Sequence, residues 1–221
     1  MEKGTLASTW KDYTSNENNY LAIYTLDKKE MPSTYIYNNV TYTKASEIDV
    51  SSDQKDKVIL GEYKDTSGNI IALMGQDGGV MAPEDSSNLF SSLTNLTNLD
   101  LSNLNTKNVT SMEKMFYNSS KLVTLDISNF DTRKVTTMYY MFRDCSSLIN
   151  LDVSGFDTRN VNDMGRMFQG VSKVTSLDVT NFDTSKVTMM YGMFNGMSSL
   201  SNLDVTYFDN KNLTNIVGMF K

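Results

Sequence analysis

Five Leu-Asp pairs, Leu99-Asp100, Leu125-Asp126, Leu151-Asp152, Leu177-Asp178 and Leu203-Asp204, recur every 26 residues without one insertion. A fixed period of that length signals a solenoid, in which one short supersecondary unit is repeated along an axis. A 26-residue unit cannot bury enough apolar surface to fold alone, so each unit must close the flank of the next. In "LDISNFDTRKVTTMYYMFRDCSSLIN", Leu125, Asp126 and Ile127 alternate as a strand does, whereas Val135, Met138, Met141 and Phe142 fall on one helical face. Thr110, Thr136, Asn162, Thr188 and Thr214 precede each such run as N-cap residues, and Glu113 completes a capping box in the first. Asn118, Asp144, Gly170 and Gly196 follow, types that tolerate the left-handed conformation at a helix end. The predicted unit is strand, loop, short helix, turn, with the Met and Phe positions as core.

Around this array the chain divides three ways. Residues 1–57 hold Trp10 and six of the twelve tyrosines with no 26-residue echo, and Asn38-Asn39 marks a two-residue hairpin, so a small β-rich module is predicted. Residues 58–96 are predicted to form a hairpin turning at Asp65 to Asn69, a cap, and a degenerate first unit ending at Leu89-Phe90. Residues 97–221 form the solenoid, open at its C-terminal end. Solenoid ends need capping, so the parent protein is expected to continue beyond Lys221 or to have ended close by.

Composition narrows the chemistry. The chain has 20 basic and 26 acidic residues, a pI near 4.7 and no basic surplus for phosphate, so no nucleic-acid partner is expected. Histidine is absent, which removes the commonest general base, the Ser-His and Cys-His pairs and most catalytic zinc sites. Cys145 is single and reads as a small packed residue. No run approaches a membrane span, so no direct membrane insertion is expected. "GQDGGVMAPEDSS" lacks the ligand spacing of an EF-hand and the Lys of a phosphate loop, and reads as structural. No enzyme activity, cofactor or metal is predicted.

"MFYNSSKLVTLDISNFDTRKVTTMYYMF" and its successors resemble the BspA-like repeats of bacterial surface proteins, over about residues 87 to 221. Leu122, Leu125 and Ile127 are also similar to the leucine-rich-repeat pattern, with Phe130 where that family often has Asn. The resemblance implies an α/β solenoid of leucine-rich-repeat type, a right-handed stack, in an extracellular protein of the bacterial cell surface or wall. It also implies an adhesive role toward a protein partner, host extracellular matrix or cell surface, or toward a glycan. Leu104-Asn105 in the first unit, and Asn210, Leu213 and Ile216 in the last, depart from the repeat consensus as end units.

Repetition makes ladders, and these supply the candidate binding residues. Asp100, Asp126, Asp152, Asp178 and Asp204 are predicted to form one outward column, offering either a surface for a cationic partner or Ca²⁺, or simply acceptors for nearby hydroxyls and N–H groups. Asn105, Asp131, Asp157, Asp183 and Asp209 read as turn acceptors. Lys107, Arg133, Lys134, Arg159, Lys186 and Lys211 form a basic stripe. Tyr139, Tyr140 and Tyr191 lie off the Met-Met-Phe face, where they suit either a protein or glycan contact or packing between units. The expected function is a non-enzymatic adhesion or protein-interaction domain, monomeric; the alternatives are a structural spacer and, last, a glycan-acting enzyme.

Overall fold

A computed structural model describes residues 6, 20–26, 30–51 and 58–221; Trp10 and most of the polar stretch after Ser51 lie outside the described residues. The N-terminal third builds a sheet from β1 (Tyr20–Leu26), β2 (Thr34–Tyr37), β3 (Val40–Asp49), β4 (Ile59–Lys64) and β5 (Ile70–Gly75). β2 and β3 close at Asn38 and Asn39, whose φ angles of 50° and 62° supply the left-handed pair a two-residue hairpin requires. β4 and β5 turn at Asp65, whose Oδ1 accepts the Ser67 and Asn69 N–H groups at 2.8 Å. β5, "IIALMG", is buried on both faces, as its unbroken apolar run requires of a central strand.

The repeats begin with short strands: β6 (Val80–Met81) pairs in parallel with β8 (Leu104–Asn105), and β7 (Asn98–Asp100) with β9 (Thr124–Asp126). β1 lies between β5 and β7, parallel to both. One mixed, curled sheet of seven strands therefore runs β2-β3-β4-β5-β1-β7-β9, from the tyrosine-rich hairpins into the first repeats.

The expected α/β solenoid of strand, loop and short helix is overturned, because no helix exists among the described residues. Each M-x-x-M-F run is a series of tight turns. Met141 N–H bonds Met138 O, three residues back, at 3.1 Å, while Met138, Tyr140 and Phe142 send their N–H groups to Asp163, Gly165 and Met167 in the next unit at 3.0, 3.1 and 2.9 Å. A helix would satisfy the same groups internally, four residues back. The switch is made by residues with positive φ in mid-run: Lys114 at 56°, Tyr140 at 61° and Arg166 at 53°, then Gly192 and Gly218 in the same column. Each non-glycine residue there costs about 1–2 kcal/mol, offset by the bond its N–H makes to the following unit. The threonines expected as N-caps instead donate between units, as Thr136 N–H and Oγ1 do to Thr110 O at 2.8 and 3.1 Å. Glu113 makes no capping box; its N–H meets Ser111 Oγ at 3.4 Å. Asn118, Asp144, Gly170 and Gly196 do adopt the left-handed conformation, but they end turns. Regular strand pairing at the Leu-Asp segments also stops after β9, leaving a single bridge, Ser176 to Asn202.

Two ladders bind the units. Phe90, Phe116, Phe142, Phe168, Phe194 and Phe220 stack with centroids 5.5–6.0 Å apart and rings within 11° of parallel. The Thr of each F-D-T is buried: Thr132 Oγ1 donates to Asp157 O at 3.0 Å and accepts the Asp157 N–H at 2.7 Å, and Thr106 and Thr184 repeat both bonds on Asp131 and Asp209. One hydroxyl thus satisfies two backbone groups of the adjoining unit. Valine at Thr132 fills the same space and satisfies neither, so Thr132→Val is expected to destabilise the chain by about 2 kcal/mol in urea titration, with Thr132→Ser recovering most of the loss.

Candidate functional site

The Asp column stands where the sequence placed it, exposed along the Leu-Asp segments from Asp126 to Asp204 and half-buried at Asp100. Each carboxylate turns back on its own chain. Asp126 Oδ1 accepts the Ser128 N–H at 3.0 Å and hydroxyl at 2.7 Å; Ser154 does the same for Asp152, Thr180 for Asp178 and Thr206 for Asp204. Asp100 Oδ1 accepts the Ser102 N–H at 2.9 Å, without the hydroxyl bond the other four show. These bonds hold Asp126, Asp152, Asp178 and Asp204 below the usual carboxylate range. No three carboxylate or thiol groups converge on a point that would hold a metal ion, among the described residues.

The second acidic column behaves alike. Asp131 and Asp157 accept N–H bonds from Arg133 and Arg159 and pair with their guanidinium groups at 2.6 and 2.7 Å, which lowers both carboxylates; Asp183 is lowered by its bonds from Ser185. The basic stripe is partly engaged by the stack itself, Lys134 reaching Asn108 at 3.1 Å and Lys186 reaching Asn160 at 2.8 Å. Cys145 is buried, gives its Sγ–H to Phe116 O at 3.0 Å, and has its pKa pushed by burial up to about 12. It occupies the place Ser119 fills one unit earlier on Phe90 O, also at 3.0 Å.

The three tyrosines singled out in the sequence do meet. Tyr139 and Tyr140 stack at 3.9 Å, and Tyr191 Oη donates to Tyr139 Oη at 2.9 Å across an intervening unit. Gly165 makes that reach possible: a Cβ there would lie 2.7 Å from the Tyr191 ring. Three cations surround the rings, which the sequence reading missed. Arg143 lies 4.6 Å from the Tyr140 centroid and also faces Tyr117; Arg166 lies 5.3 Å from Tyr191 and donates to Tyr140 Oη at 2.7 Å; Lys114 lies 5.5 Å from Tyr139. The 26-residue spacing of Lys114, Tyr140 and Arg166 was the available signal, since one column brings them side by side.

Charge in the patch is balanced. Glu113 pairs with Lys114 at 2.8 Å. Arg143 Nε lies 3.2 Å from Asp144 Oδ2 but off the line of a hydrogen bond. Half-buried Asp163 takes the Gly165 N–H at 2.7 Å; burial raises its pKa, the N–H bond opposes that, and Glu113 adds to the rise. Tyr139 is raised by burial and by its bonds to Tyr140 and Tyr191. For Tyr140 burial pushes upward, but the Tyr139 bond and the Arg166 and Arg143 charges prevail and lower it. The result is a half-buried aromatic and cationic surface with compensated charge, suited to contact.

These features define a repeat protein whose helix-free units stack through their main chain while side chains outside the ladders vary. The chain belongs to the family described as Mycoplasma protein of unknown function, DUF285, whose model matches residues 84–177 and 147–221. That membership is consistent with the resemblance to BspA-like proteins. No curated protein and no solved structure matches the chain.

The lowered carboxylates fix the pH response. Their folded pKa values lie below the unfolded value of about 3.9, so their stabilisation is present above that pH and is lost as pH falls through the folded values. The urea midpoint is expected to hold steady from neutral pH to about pH 5 and to drop below about pH 4. Asp126→Asn with Asp152→Asn should flatten part of that drop, because asparagine keeps the turn acceptor without a titrating charge.

Proposed function

We propose that the chain is a non-catalytic recognition domain of a bacterial surface or secreted protein, and that the Tyr139, Tyr140, Tyr191, Arg143 and Arg166 patch contacts a protein on host or neighbouring cells. The observation that carries this reading is the departure of the patch from the repeat. Glu113, Tyr139, Gly165, Tyr191 and Val217 share one column, so stacking does not dictate what stands there. Tyrosine and arginine are the residue types over-represented at binding hot spots. The Asp column, by contrast, is uniform and is used in turns throughout. Resemblance to surface proteins supports the location.

A spacer is the second reading, and one observation favours it: Tyr140 already has Tyr139 at 3.9 Å and Arg143 at 4.6 Å against its ring. Binding of the purified chain to epithelial cells and immobilised matrix proteins separates the two. Tyr191→Ala with Arg166→Ala is expected to leave the fold intact by circular dichroism and to weaken binding at least about tenfold, the size of a loss of about 1.4 kcal/mol. No binding by the wild type supports the spacer, whereas unchanged binding by that folded variant puts recognition outside the patch.

A further inference from the structure

The seven-stranded sheet ends at β2, which has β3 on one side and no strand on the other, among the described residues. The Lys44 N–H bond to Ser33 O, at 2.9 Å, sets the alternation along that pair. Ser33, Tyr35 and Tyr37 turn their main-chain groups toward β3, so Thr34 and Ile36 turn theirs away. Neither of these two finds a hydrogen-bond partner on the free side, among the described residues. No charged residue stands between Glu30 and Lys44 to guard the edge, and the Ile36 side chain is 68% exposed.

Curling brings that edge over the first repeats. β2 stands four places from β1, which is about 19 Å in a flat sheet, yet the Tyr35 and Tyr37 rings lie 5.5 and 6.0 Å from that of Tyr24. The sheet therefore bends back on itself, with Tyr63, Ile71 and Leu73 buried inside the bend. Beyond β1 the same inner face runs on from Tyr24 to Asp100 on β7 and Asp126 on β9. Tyr24 Oη accepts the Asn98 amide at 3.1 Å, and the Asp100 charge adds to the rise that burial gives the Tyr35 pKa. A strand laid on the free side of β2 thus faces β7 across the bend, at the roughly 10 Å that separates packed sheets.

The inner face there is open and of one charge. A groove of about 380 Å³ runs along it, with Asp100, Asp126 and Asp152 in the lining and no Lys or Arg. Each of these carboxylates uses Oδ1 in its own turn.

We infer that the free edge of β2 takes an extended basic peptide segment of a partner protein, whose lysine or arginine side chains reach Asp100 and Asp126. An antiparallel segment exchanges main-chain bonds with Thr34 and Ile36, as in β-augmentation generally. Its residue opposite Tyr35 points inward, where a cation meets the Tyr24 and Tyr35 rings and the Asp100 carboxylate. The residues on either side point outward beside Ile36. A second copy of the chain is disfavoured, because its own curled sheet has to enter the same bend and its net charge of −6 adds repulsion. The site is separate from the patch around Tyr139, Tyr140 and Tyr191.

Ile36→Pro is the test, because proline removes the outward N–H without touching a bond to β3, and edge strands tolerate it there. The probe is a fluorescent peptide with a central lysine flanked on each side by valine, threonine and valine, titrated by anisotropy at low salt against the whole chain. Wild type is expected to bind it. Ile36→Pro, Asp100→Asn with Asp126→Asn, and glutamate in place of the peptide lysine should each weaken binding at least about tenfold. The Thr34 and Ile36 amides are expected to exchange fast in the free chain and to slow when peptide binds. No binding by the wild type, equal binding by a folded Ile36→Pro, indifference to the glutamate, or slow exchange of both amides in the free chain would overturn the proposal. If Ile36→Pro does not fold, N-methylation of the two valines beside the peptide lysine blocks the same bonds, and undiminished binding of that peptide would overturn it too. Wild-type self-association that disappears in Ile36→Pro by sedimentation velocity would assign the edge to a second copy instead. Tyr191→Ala with Arg166→Ala should bind the probe as the wild type does, so each proposal can fail alone.

Discussion

Main-chain hydrogen bonds between units are the constraint from which the rest of the structure follows. In the M-x-x-M-F runs the N–H groups that a helix would use internally point along the stack and reach carbonyls one unit on. A unit therefore has unsatisfied backbone polar groups until its neighbour is in place. Stacking is compulsory for polar as well as apolar reasons, and the period must stay at 26, since one inserted residue would move every donor off its acceptor. Phenylalanine stacks and threonine clamps then fall into columns because the backbone is already in register.

How much of this was legible in the residues depends on the type of signal. The period, the turn-forming aspartates and the two hairpins could be read because each rests on local chemistry: acceptor side chains two residues from an N–H, or paired asparagines at positive φ. The helices could not be read correctly. Apolar residues at i, i+3 and i+4 describe one face of a helix, but a chain of tight turns places Met138, Met141 and Phe142 inward just as well. Gly192 and Gly218, in the middle of "MYGMF" and "IVGMF", were the contrary signal, because glycine weakens a helix interior and is favoured where φ is positive. Lys114, Tyr140 and Arg166 hid it by taking the same conformation with side chains attached.

The candidate sites teach a related point. Ladders drew attention because they repeat, yet repetition is what stacking itself demands: the Asp columns, the Thr column and Cys145 all serve turns or unit-to-unit contacts. The informative positions are those where a column changes its residue. Gly165, which makes room for Tyr191 to reach Tyr139, is the clearest of them. The three tyrosines were found from their off-core spacing, whereas the cations that pack on them needed the register of the columns.

The most direct measurement is nuclear magnetic resonance detection of scalar couplings across the hydrogen bonds of the folded chain. Correlation of the Phe142 amide nitrogen with the Met167 carbonyl carbon, repeated for Phe116 with Met141 and Phe168 with Met193, is the predicted result. Correlation of Phe142 with Met138, four residues back, would show a helix and contradict the stack described here.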